Sequence, residues 1–237
     1  MRSLLYTALL AIAASQAAVA NCRQALALGL DVSGSVDLRE YRLQLDGLVA
    51  ALGHPEVVSA LLAAPNAPVS LMVFEWSGPT DPSVLVPWTS VTDADALDNI
   101  TQTLAKTKRR NATPGTALGV AMTLGAVFLD QQKGCWKRTL DISGDGQSNL
   151  GPRPRDVKNA IGVRGITINA LVIGSDNQEA DDTRQSEIAE LSSYFRSEVI
   201  TGPDAFVQTA LGFENYAEAM TAKLIRELDG LAFSALQ

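Results

Sequence analysis

The chain has 237 residues, 26 of them acidic and 19 basic, for a formal net charge of −7 and a pI near 4.7. Its only basic cluster, Lys106, Lys108, Arg109 and Arg110, is far from the broad phosphate-neutralising surface a nucleic acid demands, so nucleic acid is disfavoured as a partner. The length suits one large α/β domain and is short for two.

In chain order, Arg2, the apolar run from Leu4 to Ala14 and then Ala18-Val19-Ala20 follow the grammar of a secretory signal peptide. Ser15 and Gln16 interrupt the run well short of the roughly 20 apolar residues a membrane span needs. Cleavage is expected after Ala20, leaving residues 21–237 as a single domain, periplasmic or secreted. Lipoprotein processing at Cys22 is the alternative, disfavoured because Asn21 stands where Gly, Ala or Ser is wanted. No later stretch reads as a membrane span, and no Pro- or Ser-rich linker divides the chain. Cys22 and Cys135 make a disulfide the first expectation in an oxidising compartment, two buried free thiols being the other reading.

Ala25 to Leu30, ending at Asp31, reads as a strand buried on both faces. Helical spacing runs from Leu38 through Tyr41, Leu45, Leu48 and Leu52 and stops at Gly53. Val69 to Trp76 is a second buried strand, and Val84 to Trp88 a short antiparallel edge after turn signals. Asp93 to Thr107 is an amphipathic helix, Thr116 to about Gln131 a long apolar one. Then follow strand Thr139–Ser143, helix Asp156–Val163, strand Ile166–Ile173, helix Asp182–Ser193, a last strand Glu198–Thr201 and a closing helix Glu214–Leu228. This alternation predicts an α/β fold: a doubly wound, mostly parallel six-stranded sheet flanked by helices on both faces, with one antiparallel edge strand. Ligands of such sheets bind outside the carboxyl ends of the strands.

The loop after the first strand is Asp31-Val32-Ser33-Gly34-Ser35. In extended chain, residues i, i+2 and i+4 project to one side, so Asp31, Ser33 and Ser35 can offer a carboxylate and two hydroxyls to one point. Hard oxygens of this kind suit Mg²⁺, Ca²⁺ or Mn²⁺ and not zinc or copper, and no His/Cys cluster offers softer ligands.

This DxSxS loop resembles the metal-ion-dependent adhesion site (MIDAS) of von Willebrand factor A (VWA) domains, which also draws a threonine from a later loop and an aspartate from the end of a central strand. Pro114-Gly115-Thr116-Ala117-Leu118-Gly119 opens a helix as that family's glycine-threonine loop does. Asp141-Ile142-Ser143-Gly144-Asp145-Gly146 ends a strand where the family has Thr-Asp-Gly. The resemblance implies that Thr116, with Thr113 as competitor, and Asp145 complete the set, and it departs from the pattern at Gly144, where a threonine is frequent. It further implies a divalent cation, Mg²⁺ foremost, with an open position filled by a carboxylate from a protein partner.

Glu75-Trp76-Ser77-Gly78, Asp141 to Gly146 and Gly202-Pro203-Asp204-Ala205-Phe206 also resemble DUF1194, exported bacterial proteins of unknown function within that superfamily. In the VWA sheet the strands ending at Asp31 and Asp145 are neighbours. Cys22 and Cys135, nine and ten residues earlier, would then meet at the opposite edge.

Glu75 and Trp76, at a strand's carboxyl end, are expected to border the metal face as a partner-binding rim, although Trp76 could equally cap the core. Asp141 lies within an apolar strand and needs a buried partner, such as Arg138. Asp37 and Glu40 fit the first turn of a helix. The lone histidine, His54, accompanies no G-x-S-x-G elbow, and there is neither a P-loop nor a dinucleotide fingerprint, so catalytic residues are not expected. The alternatives to a metal-dependent binding domain are a metal-assisted hydrolase using Asp31 and Asp145, or a structural subunit of an envelope assembly.

Overall fold

The computed structural model describes residues 22–174 and 181–229, so the expected signal peptide lies outside the described residues. Six strands form one sheet: β1 (Cys22–Asp31), β2 (Val69–Trp76), β3 (Ser83–Val91), β4 (Cys135–Gly144), β5 (Thr167–Ile173) and β6 (Val207–Ala210). Their order is β3-β2-β1-β4-β5-β6, with every pair parallel except β2 with β3. The helices are α1 (Leu38–Leu52), α2 (Pro55–Leu62), α3 (Ala94–Lys106), α4 (Leu118–Asp130), α5 (Pro154–Gly162), α6 (Asp181–Glu198) and α7 (Tyr216–Asp229). No single helix among the described residues is long and apolar enough to cross a membrane.

Alternation along β1 divides the core. Leu26, Leu28 and Leu30 point into a cluster with Leu45 and Leu48 of α1 and Tyr216, Met220 and Leu224 of α7. Ala25 and Ala27 point the other way, towards Phe74 and towards Leu118, Met122 and Ala126 of α4. Each fully buried leucine contributes about 1.5–3 kcal/mol. With both faces covered, β1 is buried along its whole length, as its unbroken apolar sequence requires.

Local chemistry sets α1. Asp37 accepts the Glu40 amide at 2.8 Å while the Glu40 carboxylate accepts the Asp37 amide at 2.7 Å, a reciprocal cap that starts the helix where Leu38 begins the apolar stripe. Thus Asp37 and Glu40 do cap the helix.

The last strand is not Glu198–Thr201. Glu198 closes α6, and Thr201 makes only an isolated antiparallel bridge to Ile168. Gly202 (φ 99°) and Asp204 (φ 55°) turn the chain around, and only then does β6 run parallel to β5. Sequence reading also passed over α2, whose first residue is Pro55.

Cys22 and Cys135 are register partners on β1 and β4 and form a disulfide, with Cα atoms 4.6 Å apart. The bond sits at the amino ends of the central strands, away from the rim where Asp31 and Asp145 lie. It ties the first described residue of the sheet to its centre.

Candidate metal centre

Strand order reverses beside β1, whose neighbours β2 and β4 lead outwards in opposite directions. The crevice outside the carboxyl ends of β1 and β4 is therefore where a doubly wound sheet presents its ligand loops. Asp31 ends β1 and Asp145 follows β4, so sheet topology brings to one rim two carboxylates far apart in sequence.

Four of the five expected side chains form one connected cluster. The Ser33 amide donates to Asp31 Oδ1 at 2.8 Å, folding the loop back on its own carboxylate. The hydroxyls of Ser33 and Ser35 are 3.2 Å apart, and Ser35 Oγ donates to Asp145 Oδ1 at 2.8 Å. The Gln44 side chain of α1 holds the Asp31 carbonyl at 3.0 Å. The DxSxS loop is not extended chain after Asp31 but bends and turns over residues 33–36, with Asp31 and Ser33 each 1 % exposed and Ser35 open to solvent; the turn, and not strand alternation, gathers these side chains.

Thr116 joins this group through its loop and not through a hydrogen bond of its hydroxyl. The Gly34 amide donates to the Pro114 carbonyl at 2.9 Å, and a Cβ on Gly34 would lie 2.7 Å from the Pro114 Cβ, so only glycine allows this approach. The Ala117 amide donates to the Ser77 carbonyl at 2.7 Å, and Thr116 is buried between these anchors. Its amide donates to Asn149 Oδ1 at 2.8 Å, which links it to the loop after Asp145. The rival Thr113 is exposed and turned elsewhere, its amide donating to Asp81 Oδ2 at 3.0 Å.

The departure at Gly144 has a packing reason. A Cβ there would stand 3.1 Å from Phe195 Cζ, 3.5 Å from Asp31 Oδ2 and 3.7 Å from Trp76 Cζ2. Aromatic rings fill the space a threonine would need.

Asp31 Oδ2 is buried without a hydrogen-bond partner. Burial, then the Asp145 charge, push the Asp31 carboxyl up to about 8 against the bonds from Ser33. Burial also raises Asp145, with Ser35 opposing. Two carboxylates at a poorly solvated rim lack positive charge, and an orphaned oxygen lacks a partner; a hard dication supplies both. Among the described residues no three histidine, cysteine or carboxylate side chains gather at one place, so a cation here draws on hydroxyls as well. The oxygen-only donor set fits that demand.

Glu75 and Trp76 do not form a partner-binding rim, since each is 1 % exposed. Glu75 accepts the Tyr41 hydroxyl at 2.5 Å and Arg110 Nε at 3.2 Å, while Trp76 packs in the core with Phe74 and Phe195. Helix α1 and the loop before α4 cover the strand end that sequence reading left open.

Nor is Arg138 the partner of Asp141, because it bonds Asp130 and the Arg164 carbonyl instead. Lys223 of α7 lies 2.7 Å from Asp141 Oδ2 and 2.7 Å from Glu227 Oε1, and Asn169 donates to the same Glu227 oxygen at 2.6 Å. Burial pushes Asp141 up to about 7 against the Lys223 charge. Positions 216, 220, 223 and 227 share the inward stripe of α7, so helical spacing could have flagged Lys223 and Glu227 as buried ions.

Among solved structures the chain is similar to proximal thread matrix protein 1 of the mussel byssus in a form with a zinc-occupied MIDAS motif (TM-score 0.59, 13% identity, 90% of this chain and 47% of that one). It is also similar to the pilus adhesin SpaC of Lactobacillus rhamnosus GG in its open conformation (0.55, 15%, 89% and 30%). A third is a von Willebrand factor type A protein of Catenulispora acidiphila (0.55, 14%, 87% and 43%). The chain spans about half the length of the mussel proteins it matches. At these identities the likeness establishes the fold, which is that of a VWA domain. Comparison with curated proteins finds no match. Residues 21–232 match the family model described as "Protein of unknown function (DUF1194)", and the chain belongs to that family.

Proposed function

We propose that the protein is an exported binding domain that recognises a protein partner through one divalent cation, Mg²⁺ foremost. Asp31, Ser33, Ser35, Thr116 and Asp145 are the residues that would hold it. The observation carrying this reading is the rim cluster itself. The buried Asp31 lacks a partner for Oδ2, and Asp145 stands one serine away, joined through Ser35. Two carboxylates and neutral hydroxyls nearly balance a dication, which can then accept a carboxylate from a partner. The residues of this chain fix the rest: Gln44 and Pro114 hold the loop, Asp31 and Ser33 lie at its buried side, and Ser35 faces solvent, the side from which a partner's acid would approach. The mussel structure with zinc in its MIDAS motif supports a divalent ion on this fold. The disulfide supports an oxidising compartment.

Capture from envelope extract tests the reading. One protein should be retained in Mg²⁺, released by chelator, and not retained by Asp145→Ala. Retention indifferent to both treatments points to a structural subunit, and turnover of ester or phosphate substrates to a hydrolase.

A further inference from the structure

The cluster Lys106, Lys108, Arg109 and Arg110 falls in the segment between α3 and α4, the same segment that delivers Thr116. Arg109 turns inward from it onto the DxSxS loop. Its guanidinium donates to the Val36 carbonyl and reaches those of Ser33 at 3.3 Å and Val32 at 3.4 Å. All three acceptors are main-chain oxygens of the loop between β1 and α1. The same guanidinium lies over the Tyr41 ring, 5.8 Å from its centroid. Tyr41 in turn donates to Glu75, and Glu75 holds Arg110 at 3.2 Å. Consecutive arginines therefore embrace one Tyr41–Glu75 pair, one against the ring and one against the carboxylate.

We infer that Arg109 is a positioning residue for the rim: by gathering the carbonyls of Val32, Ser33 and Val36 it sets the curvature that brings the Ser33 hydroxyl against that of Ser35 and the Ser35 hydroxyl onto Asp145, and it couples that loop to the segment carrying Thr116. Planar geometry explains why an arginine does this, because five donors in a rigid fork can serve several carbonyls at once. The ammonium of a lysine, a compact point charge, serves fewer of them in fixed directions. The inference rests on the proposed cation reading for its functional consequence, but the loop geometry does not.

The test uses the mature protein with Arg109→Met, Arg109→Lys and, as a charge control on an exposed neighbour, Lys108→Met. Two readouts apply. Hydrogen exchange in chelator follows the Gly34 and Val36 amides, which donate to the Pro114 and Ser33 carbonyls. Calorimetric titration follows Mg²⁺ affinity. Arg109→Met should speed exchange at Gly34 and Val36 at least tenfold and weaken Mg²⁺ at least tenfold, with exchange in the β1 core unchanged. Arg109→Lys should recover part of both losses, and Lys108→Met should leave both as in the wild type. Unchanged exchange in Arg109→Met overturns the inference, as does Lys108→Met weakening Mg²⁺ as much, since the effect would then be charge and not position. If the wild type takes up no Mg²⁺ while Arg109→Met still frees the loop amides, the cation reading fails and the positioning role stands.

Discussion

Replacing Asp31 by asparagine should stabilise the metal-free protein while abolishing its stabilisation by a cation. The Asp31 carboxyl is held at about 8 in the folded chain by burial and by Asp145, against an ordinary value of 3.8. The folded state therefore keeps its proton over a pH range where the unfolded chain has released it. Because the folded state binds more protons there, stability falls as pH rises from about 4 to about 8. Each pH unit in that window is worth about 1.4 kcal/mol, so at pH 7 the metal-free fold carries a cost on the order of 4 kcal/mol from this one group. Asparagine keeps an oxygen for the Ser33 amide but places a donor where Oδ2 has no partner, which returns roughly 1–3 kcal/mol of the gain. The net expectation is a few kcal/mol, or about 2–4 °C of melting temperature per kcal/mol in a domain of this size. Calorimetric melts in chelator should show the Asp31→Asn variant melting above the wild type at pH 8 and somewhat below it at pH 4, where little deprotonation cost is left to relieve and the unpartnered donor remains. Saturating Mg²⁺ at pH 8 should raise the wild type and leave the variant where it was. Parallel melting curves from pH 4 to 8 would refute the claim that Asp31 is an uncompensated buried acid.

Removing one member of the buried ion cluster should cost more than removing its charge balance. Lys223→Met strands Asp141 and Glu227, both 1 % exposed, and is expected to destabilise by about 3–5 kcal/mol in denaturant titration, with Asp141→Asn added to it recovering part of the loss. Gly144→Thr should cost about 1–3 kcal/mol by pressing on Phe195, and adding Phe195→Leu should return most of it, which paired thermal melts can read. The Cys22–Cys135 bond closes a span of 113 residues. The Cys22→Ala/Cys135→Ala variant should therefore lose about 2–5 kcal/mol with the fold retained by circular dichroism.

Much of this architecture was legible because its signals are local. The apolar run into Asp31, the stripe from Leu38 to Leu52 and the Asp37–Glu40 cap each need only neighbours in sequence, and α1 and β2 have the bounds the sequence suggested. The DxSxS loop stood out by its spacing of oxygen-bearing residues, but its shape follows from the turn at residues 33–36 and the Gly34–Pro114 contact, which no alternation announces. What was missed depends on distant partners or on weak local pattern. Lys223 is remote from Asp141, and nothing near Asp141 announces it. Glu75 ends a strand at the ligand rim, where its distant partners Tyr41 and Arg110 hold it buried, while Trp76 takes the core position that its sequence place also allowed. The four residues of β6 carry too short an alternation to stand out, and α2, opened by Pro55, follows so closely on the stop at Gly53 that its eight residues carry little signal of their own.

The most direct measurement is an anomalous difference map from crystals of residues 21–237 grown in Mn²⁺. A single dominant peak should lie at the rim between β1 and β4, within about 2.0–2.6 Å of oxygens drawn from Asp31, Ser33, Ser35, Thr116 and Asp145, and it should vanish in Asp145→Ala. Full Mn²⁺ loading with the peak elsewhere, or no peak at saturating Mn²⁺, would contradict the account.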